Sequence, residues 1–99
     1  MDLTINYGNV GRTPAIESAV KEQVGTIAHK LRNANKSLFS VFLKTEHPDI
    51  GSGKPEYKCT ILFQGPQAKE MAVTKKSDDL YGCMRHARSA MEKRLRRAA

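Results

Sequence analysis

Apolar and polar positions alternate at the start of the chain: Leu3, Ile5 and Tyr7 stand against Thr4 and Asn6, the period of a strand with one buried face. Gly8 breaks that pattern. In "TPAIESAVKEQVGTIAHKLRN" the period lengthens, and Ile16, Val20, Val24, Ile27 and Leu31 recur at helical steps, forming a single stripe. Thr13 is the expected N-cap of this helix, and Pro14 stands at its first position, where the missing N–H costs nothing. After the loop "NANKS" the alternation returns in "LFSVFLKTEH", with Phe39, Val41 and Leu43 on one face and Ser40, Phe42 and Lys44 on the other. "PDIGSGKP" reads as a turn-rich connection. "EYKCTILFQ" is a third strand with Tyr57, Cys59, Ile61 and Phe63 inward, and "AKEMAVTKK" a weaker fourth with Met71 and Val73 as its inward pair. In the closing stretch, Leu80, Met84, Ala87, Met91 and Leu95 mark a second helical stripe. Ser77 is its expected cap, with Asp78 and Asp79 in the first turn complementing the helix dipole.

The predicted order is β-α-β-β-β-α, without repeats or linkers. Short connections predict an antiparallel meander of the second, third and fourth strands. Each helix has one apolar stripe to cover, so the expected fold class is α+β, a two-layer sandwich with both helices packed on one face of a four-stranded sheet. A length of 99 residues allows one modest core, so residues 1–99 are expected to form a single domain.

Charge changes this picture from a plain fold to a candidate binding surface. Seventeen Lys and Arg against ten Asp and Glu give a net +7, which points to a polyanionic partner. The excess is local. Between Lys75 and Arg97, eight basic residues stand against three acidic ones, leaving +5 in that quarter of the chain. At about 100° per residue, Arg85, Arg88, Glu92 and Arg96 share one flank of the last helix, while Lys93 and Arg97 point outward with His86. On the first helix, Lys21 and Arg32 share an outward flank with Gly25 between them. Helices lying side by side would join these faces into a shallow positive surface suited to an RNA backbone. Basic residues in a last helical turn also complement the dipole, which by itself accounts for Lys93, Arg94, Arg96 and Arg97. It does not account for Arg85 and Arg88, which lie mid-helix with no acidic residue four positions before them.

Nothing else in the sequence is arranged for chemistry. His29, His47 and His86 fall on separate elements without metal-ligand spacing, and "GSGK" at Gly51 to Lys54 lacks the rest of a phosphate loop. No nucleophile elbow or catalytic carboxylate pair is visible, so a non-enzymatic protein without cofactor, metal or small-molecule substrate is expected. Cys59 and Cys83 match no metal or redox spacing and are expected to be buried free thiols. No signal segment and no run of 18 apolar residues occurs, from which a cytoplasmic protein without membrane attachment is expected. Tyr81 is expected at the edge of the core rather than as a base-stacking ring. The outer sheet face, with Phe42, Thr60 and Leu62, is an additional candidate contact surface.

The last helix resembles that of the ribosome hibernation promoting factors, a family also known as ribosomal subunit interface or sigma-54 modulation proteins. Asp79, Leu80, Tyr81, Gly82, Cys83 and Met84 fit the first part of that family's pattern, and Met91, Glu92, Lys93, Leu95 and Arg96 the second. Ile5, Gly8, Thr13, Ala15 and Ile16 are similar to its N-terminal part, so the resemblance spans essentially the whole chain. It implies a fold akin to double-stranded RNA binding domains. It also implies binding to the small (30S) ribosomal subunit and its rRNA near the decoding centre, excluding mRNA and the A-site and P-site tRNAs and silencing translation reversibly in stress or stationary phase. Carried over by position, the RNA contacts would be Lys21, Arg32, Arg85, Arg88, Lys93, Arg96 and Arg97. Arg85 stands where members often carry an acidic residue and Arg88 where they often carry an aliphatic one. Ending at "RRAA", the chain looks like the short type, which pairs 70S ribosomes together with ribosome modulation factor. A general duplex RNA binding module and a modulator of a sigma factor are the alternatives.

Overall fold

The computed structural model describes residues 2–31, 36–46, 55–65 and 70–98. Strand β1 (Asp2–Asn6) is followed by helix α1 (Pro14–His29), strands β2 (Leu38–Glu46), β3 (Glu56–Gln64) and β4 (Glu70–Ser77), and helix α2 (Leu80–Ala98). The strands form one sheet in the order β1-β2-β3-β4. β1 runs parallel to β2, and β2, β3 and β4 form the expected antiparallel meander. Arg32, His47 and the "GSGK" stretch lie outside the described residues.

Local chemistry explains the element ends. Thr13 has extended backbone, and its hydroxyl accepts from the Ile16 N–H at 3.1 Å, with Pro14 opening α1. At α2 the expectation needs correction. Ser77 is the last residue of β4, and the cap is Asp79, whose carboxylate accepts from the Gly82 N–H at 3.1 Å. Ser77 acts one step earlier, its hydroxyl accepting from the Asp79 N–H at 3.2 Å. Asp78 and Asp79 therefore precede the helix rather than fill its first turn. The dipole argument survives, because a carboxylate at the cap still faces the exposed N–H groups.

Both helices cover the same sheet face. Val20 and Val24 of α1 and Met84 of α2 meet Val41, Cys59 and Ile61 around a void of about 10 Å³, too small for a ligand. Phe39 and Phe63 stack at 5.2 Å between centroids in a tilted arrangement favourable to aromatic pairs. Ile16, Val20, Val24 and Ile27 of the first stripe are buried, as are Leu80, Met84, Ala87 and Met91 of the second; Leu31 and Leu95, at the stripe ends, are only partly covered. Both cysteines are free and buried, as expected. Among the described residues, no helix is long and apolar enough to cross a membrane.

Candidate nucleic-acid interface

α2 is positioned by its two edges. On the β4 side, the Cys83 thiol donates to the Lys75 carbonyl at 3.0 Å and reaches the Tyr57 carbonyl at 3.4 Å, while Arg94 Nη1 donates to the Ala72 carbonyl at 2.5 Å. Arg94 thereby covers part of an edge strand, and its guanidinium is turned toward the sheet rather than outward. On the α1 side, Glu92 is the centre of a polar seam. Its carboxylate accepts from Lys30 Nζ and, at 2.5 Å, from Arg88 Nη1, and Arg88 Nε donates to Gln23 Oε1 at 2.6 Å.

This seam changes the role of Arg88. The sequence places it on an RNA-facing flank without an acidic partner, yet its side chain is only 26% exposed and its partner lies four residues after it, on the next turn. The Glu92 side chain is 8% exposed. Burial alone would raise its pKa, but the hydrogen bond and charge of Lys30 and those of Arg88 outweigh it and hold the carboxyl below its ordinary value. Sequence reasoning missed Lys30 and Gln23. They stand seven residues apart, hence on one flank of α1, and that spacing was the available signal.

The outward face of α2 is what remains. Arg85 is 56% exposed and loosely paired with Asp79 at 3.7 Å. Lys93, Arg96 and Arg97 are exposed and have no ion pair among the described residues. At about 100° per residue, Arg85, Lys93, Arg96 and Arg97 fall within about 120° of one another, on the half of the helix opposite Met84 and Met91. Lys21 is exposed on α1 and paired with Glu17 at 3.6 Å. Two residues from Gln23, it is rotated about 160° away from the seam, so Lys21 lies on the flank of α1 remote from α2. Hence the structure gathers Arg85, Lys93, Arg96 and Arg97 on one face, turns Arg88 inward and sets Lys21 apart. Tyr81, expected at the core edge, is exposed at 40%.

Among the described residues no group of three or more His, Cys, Asp or Glu could hold a metal ion. Burial, reinforced by the charge of Cys83, pushes the Cys59 thiol up to about 12; burial likewise raises Cys83, so neither is poised as a nucleophile.

Comparison with known proteins adds a lineage to this geometry. The sequence model of one family, described as sigma 54 modulation protein / S30EA ribosomal protein, matches residues 3–99. The fold is similar to the Protein Y N-terminal domain of Thermus thermophilus, with a TM-score of 0.79 at 17% identity over 100% of both chains. It is also similar to a ribosomal subunit interface protein from Coxiella burnetii, with a TM-score of 0.74 at 11% identity over 99% of this chain and 97% of the other. No curated protein matches the sequence.

Proposed function

The chain belongs to the sigma 54 modulation protein / S30EA ribosomal protein family, the hibernation promoting factors, and from that premise we propose that it binds the small ribosomal subunit as a reversible inhibitor of translation. In this reading the protein is a binding factor and not an enzyme. Residues 1–99 act as one ribosome-binding domain that occupies the decoding region of 30S and 70S particles and excludes mRNA and the A-site and P-site tRNAs in stress or stationary phase. The observation that carries it is the outward face of α2, where Lys93, Arg96 and Arg97 have no ion pair among the described residues and Arg85 is only loosely paired. Unpaired cations on a helix fixed at both edges are pre-organised for phosphates, because no internal ion pair must be broken on binding. Lys21 and Arg32 would extend the contact on the α1 side. Arg88 contributes by holding the two helices in register. Pairing of 70S particles with ribosome modulation factor is the downstream event this reading allows.

Co-sedimentation of the purified protein with 30S, 50S and 70S particles in sucrose gradients, at low and moderate salt, tests the proposal. Migration with 30S and 70S but not 50S is expected. Charge reversal of Arg85, Lys93 and Arg96 together should abolish that migration while the protein still melts cooperatively. Should the triple variant co-sediment like the wild type, the helical face is not the ribosome contact. Equal affinity for generic duplex RNA and for 30S would favour a general RNA-binding module. The family's description also contains sigma 54 modulation; a polymerase-associated complex that survives nuclease would favour that reading.

A further inference from the structure

The sheet has a second face, which the helices do not cover, and its chemistry is laid out by strand register. Along one row, Asn6 of β1, Phe42 of β2, Thr60 of β3 and Thr74 of β4 stand opposite one another. In the next row on the same face, Lys44 opposes Lys58 and Lys58 opposes Lys76. Like charges directly opposite one another on a sheet repel, so this row of three lysines is a local cost to folding. The outer two are partly offset, Lys44 by Glu46 at 3.5 Å and Lys76 by Glu56 at 3.9 Å. Lys58, in the middle and half-buried, has no ion pair among the described residues.

An open groove of about 400 Å³ lies beside this row, lined by Asn6, Asn9, Phe42, Lys44, Lys58 and Thr60 among others. It exists because β1 ends at Asn6, opposite Phe42, while β2 runs on to Glu46, leaving the end of β2 without a strand on its β1 side. The chain after β1 forms the wall. The Asn9 side chain clamps it to β2, donating to the Thr45 carbonyl at 2.8 Å and accepting from the Thr45 N–H at 2.9 Å. Asn6 spends its side-chain carbonyl on the Gly8 N–H at 2.9 Å, and its amide nitrogen has no partner among the described residues. At the floor, Phe42 is 41% exposed, one of two large hydrophobic residues so exposed among the described residues.

From these features we infer that the outer face of the sheet binds single-stranded RNA, with an unpaired base stacked on Phe42 and its flanking phosphates held by Lys44, Lys58 and Lys76. An aromatic ring on an open sheet reaches only the face of an unpaired base, and a duplex keeps those faces stacked internally. Cationic groups beside the ring supply the phosphate contacts, and the Asn6 amide is placed to reach a base edge. The surface lies on the opposite side of the sheet from α2, so this binding is distinct from the contact made by the helical face and does not depend on it.

The test is a fluorescence anisotropy titration of the full chain with a labelled single strand of about ten nucleotides, and with a duplex of the same length, alongside amide chemical-shift mapping. Shifts at Phe42, Lys58 and Thr60 caused by the single strand are expected. Phe42→Ala should weaken single-strand binding by about fivefold or more, and Lys58→Gln should reduce the salt slope by about 0.7. Reversal of Lys93 and Arg96 should leave the shifts on the sheet in place. Absence of binding, shifts confined to α2, or an unchanged affinity in both Phe42→Ala and Lys58→Gln would overturn the inference. Those results would leave 30S co-sedimentation untouched, so the two surfaces fail or stand separately.

Discussion

Gly8 adopts φ 57°, and a Cβ added there would stand 2.3 Å from the Leu43 carbonyl oxygen. Any side chain must therefore displace backbone as well as adopt a left-handed conformation. Gly8→Ala is expected to lower stability by more than the ~1–2 kcal/mol of the backbone conformation alone, read as a lower urea midpoint with unchanged slope. The same displacement would disturb the wall that Asn9 clamps to Thr45. The cysteines carry a prediction of the opposite kind, one of inertness. With Cys59 pushed up to about 12 by burial and Cys83 also raised, both stay protonated near neutrality, and the reactive species is the thiolate. A thiol reagent such as DTNB should label neither in the native protein and both after denaturation. Rapid native labelling of either one would contradict the packing described for β3 and α2.

Between the helices, the seam of Lys30, Glu92, Arg88 and Gln23 joins the facing flanks of α1 and α2. Because Glu92 has a folded-state pKa below its unfolded value, its contribution is present in full above the unfolded value of about 4.3 and is lost as pH falls through the folded one. Glu92→Gln should therefore destabilise the protein at neutral pH, by about 1–3 kcal/mol for a buried carboxylate losing charged partners. In thermal melts run from pH 7 downward, the gap between variant and wild type should close below about pH 4.3. A constant gap would mean that Glu92 acts by packing alone.

The seam also shows where the sequence stopped being legible. Each helix and strand was readable because a period fixes which side chains turn inward, and a residue such as Met84 or Val24 can satisfy its burial in one way. The cap of α2 was misplaced by two residues because Ser77 and Asp79 are both good acceptors, and only the end of β4 decides between them. The internal partners of Arg88 were out of reach for a deeper reason. Its helical angle places it on the flank of α2, but whether that flank meets solvent or another helix depends on where α1 lies, and a tertiary contact leaves no period in the chain. Arg85 and Arg96, one turn to either side but rotated further outward, escaped the seam. On the sheet, alternation put Phe42 and Thr60 on the outer face, whereas the lysine row needed the register between strands, which the sequence of one strand does not contain.

For the molecule as a whole, the net charge is +7, and two groups of cations lie on opposite sides of the sheet, Arg85, Lys93, Arg96 and Arg97 on α2 and Lys44, Lys58 and Lys76 on the outer sheet face. Each includes cations without an ion pair among the described residues, Lys93, Arg96 and Arg97 on α2 and Lys58 on the sheet, whose loss should affect binding more than stability. On α2, the dipole of the helix favours cations in its last turn by about 0.3–1 kcal/mol each at low salt, while repulsion among Lys93, Arg96 and Arg97 offsets part of that gain. The double variant Lys93→Gln, Arg96→Gln is therefore expected to melt within a few degrees of the wild type, about what ~1 kcal/mol shifts in a domain of this size. Its binding should respond far more. If each side chain neutralises one phosphate, the slope of log K against log salt for 30S subunits should fall by about 1.4–1.8, so that the deficit is largest at low salt and shrinks as salt rises. A variant that melted much lower, or one that lost affinity by the same factor at every salt concentration, would show that these side chains hold the fold or make neutral contacts. The separation of charge from core would then fail, and with it the reason for assigning the outward face of α2 to a polyanion.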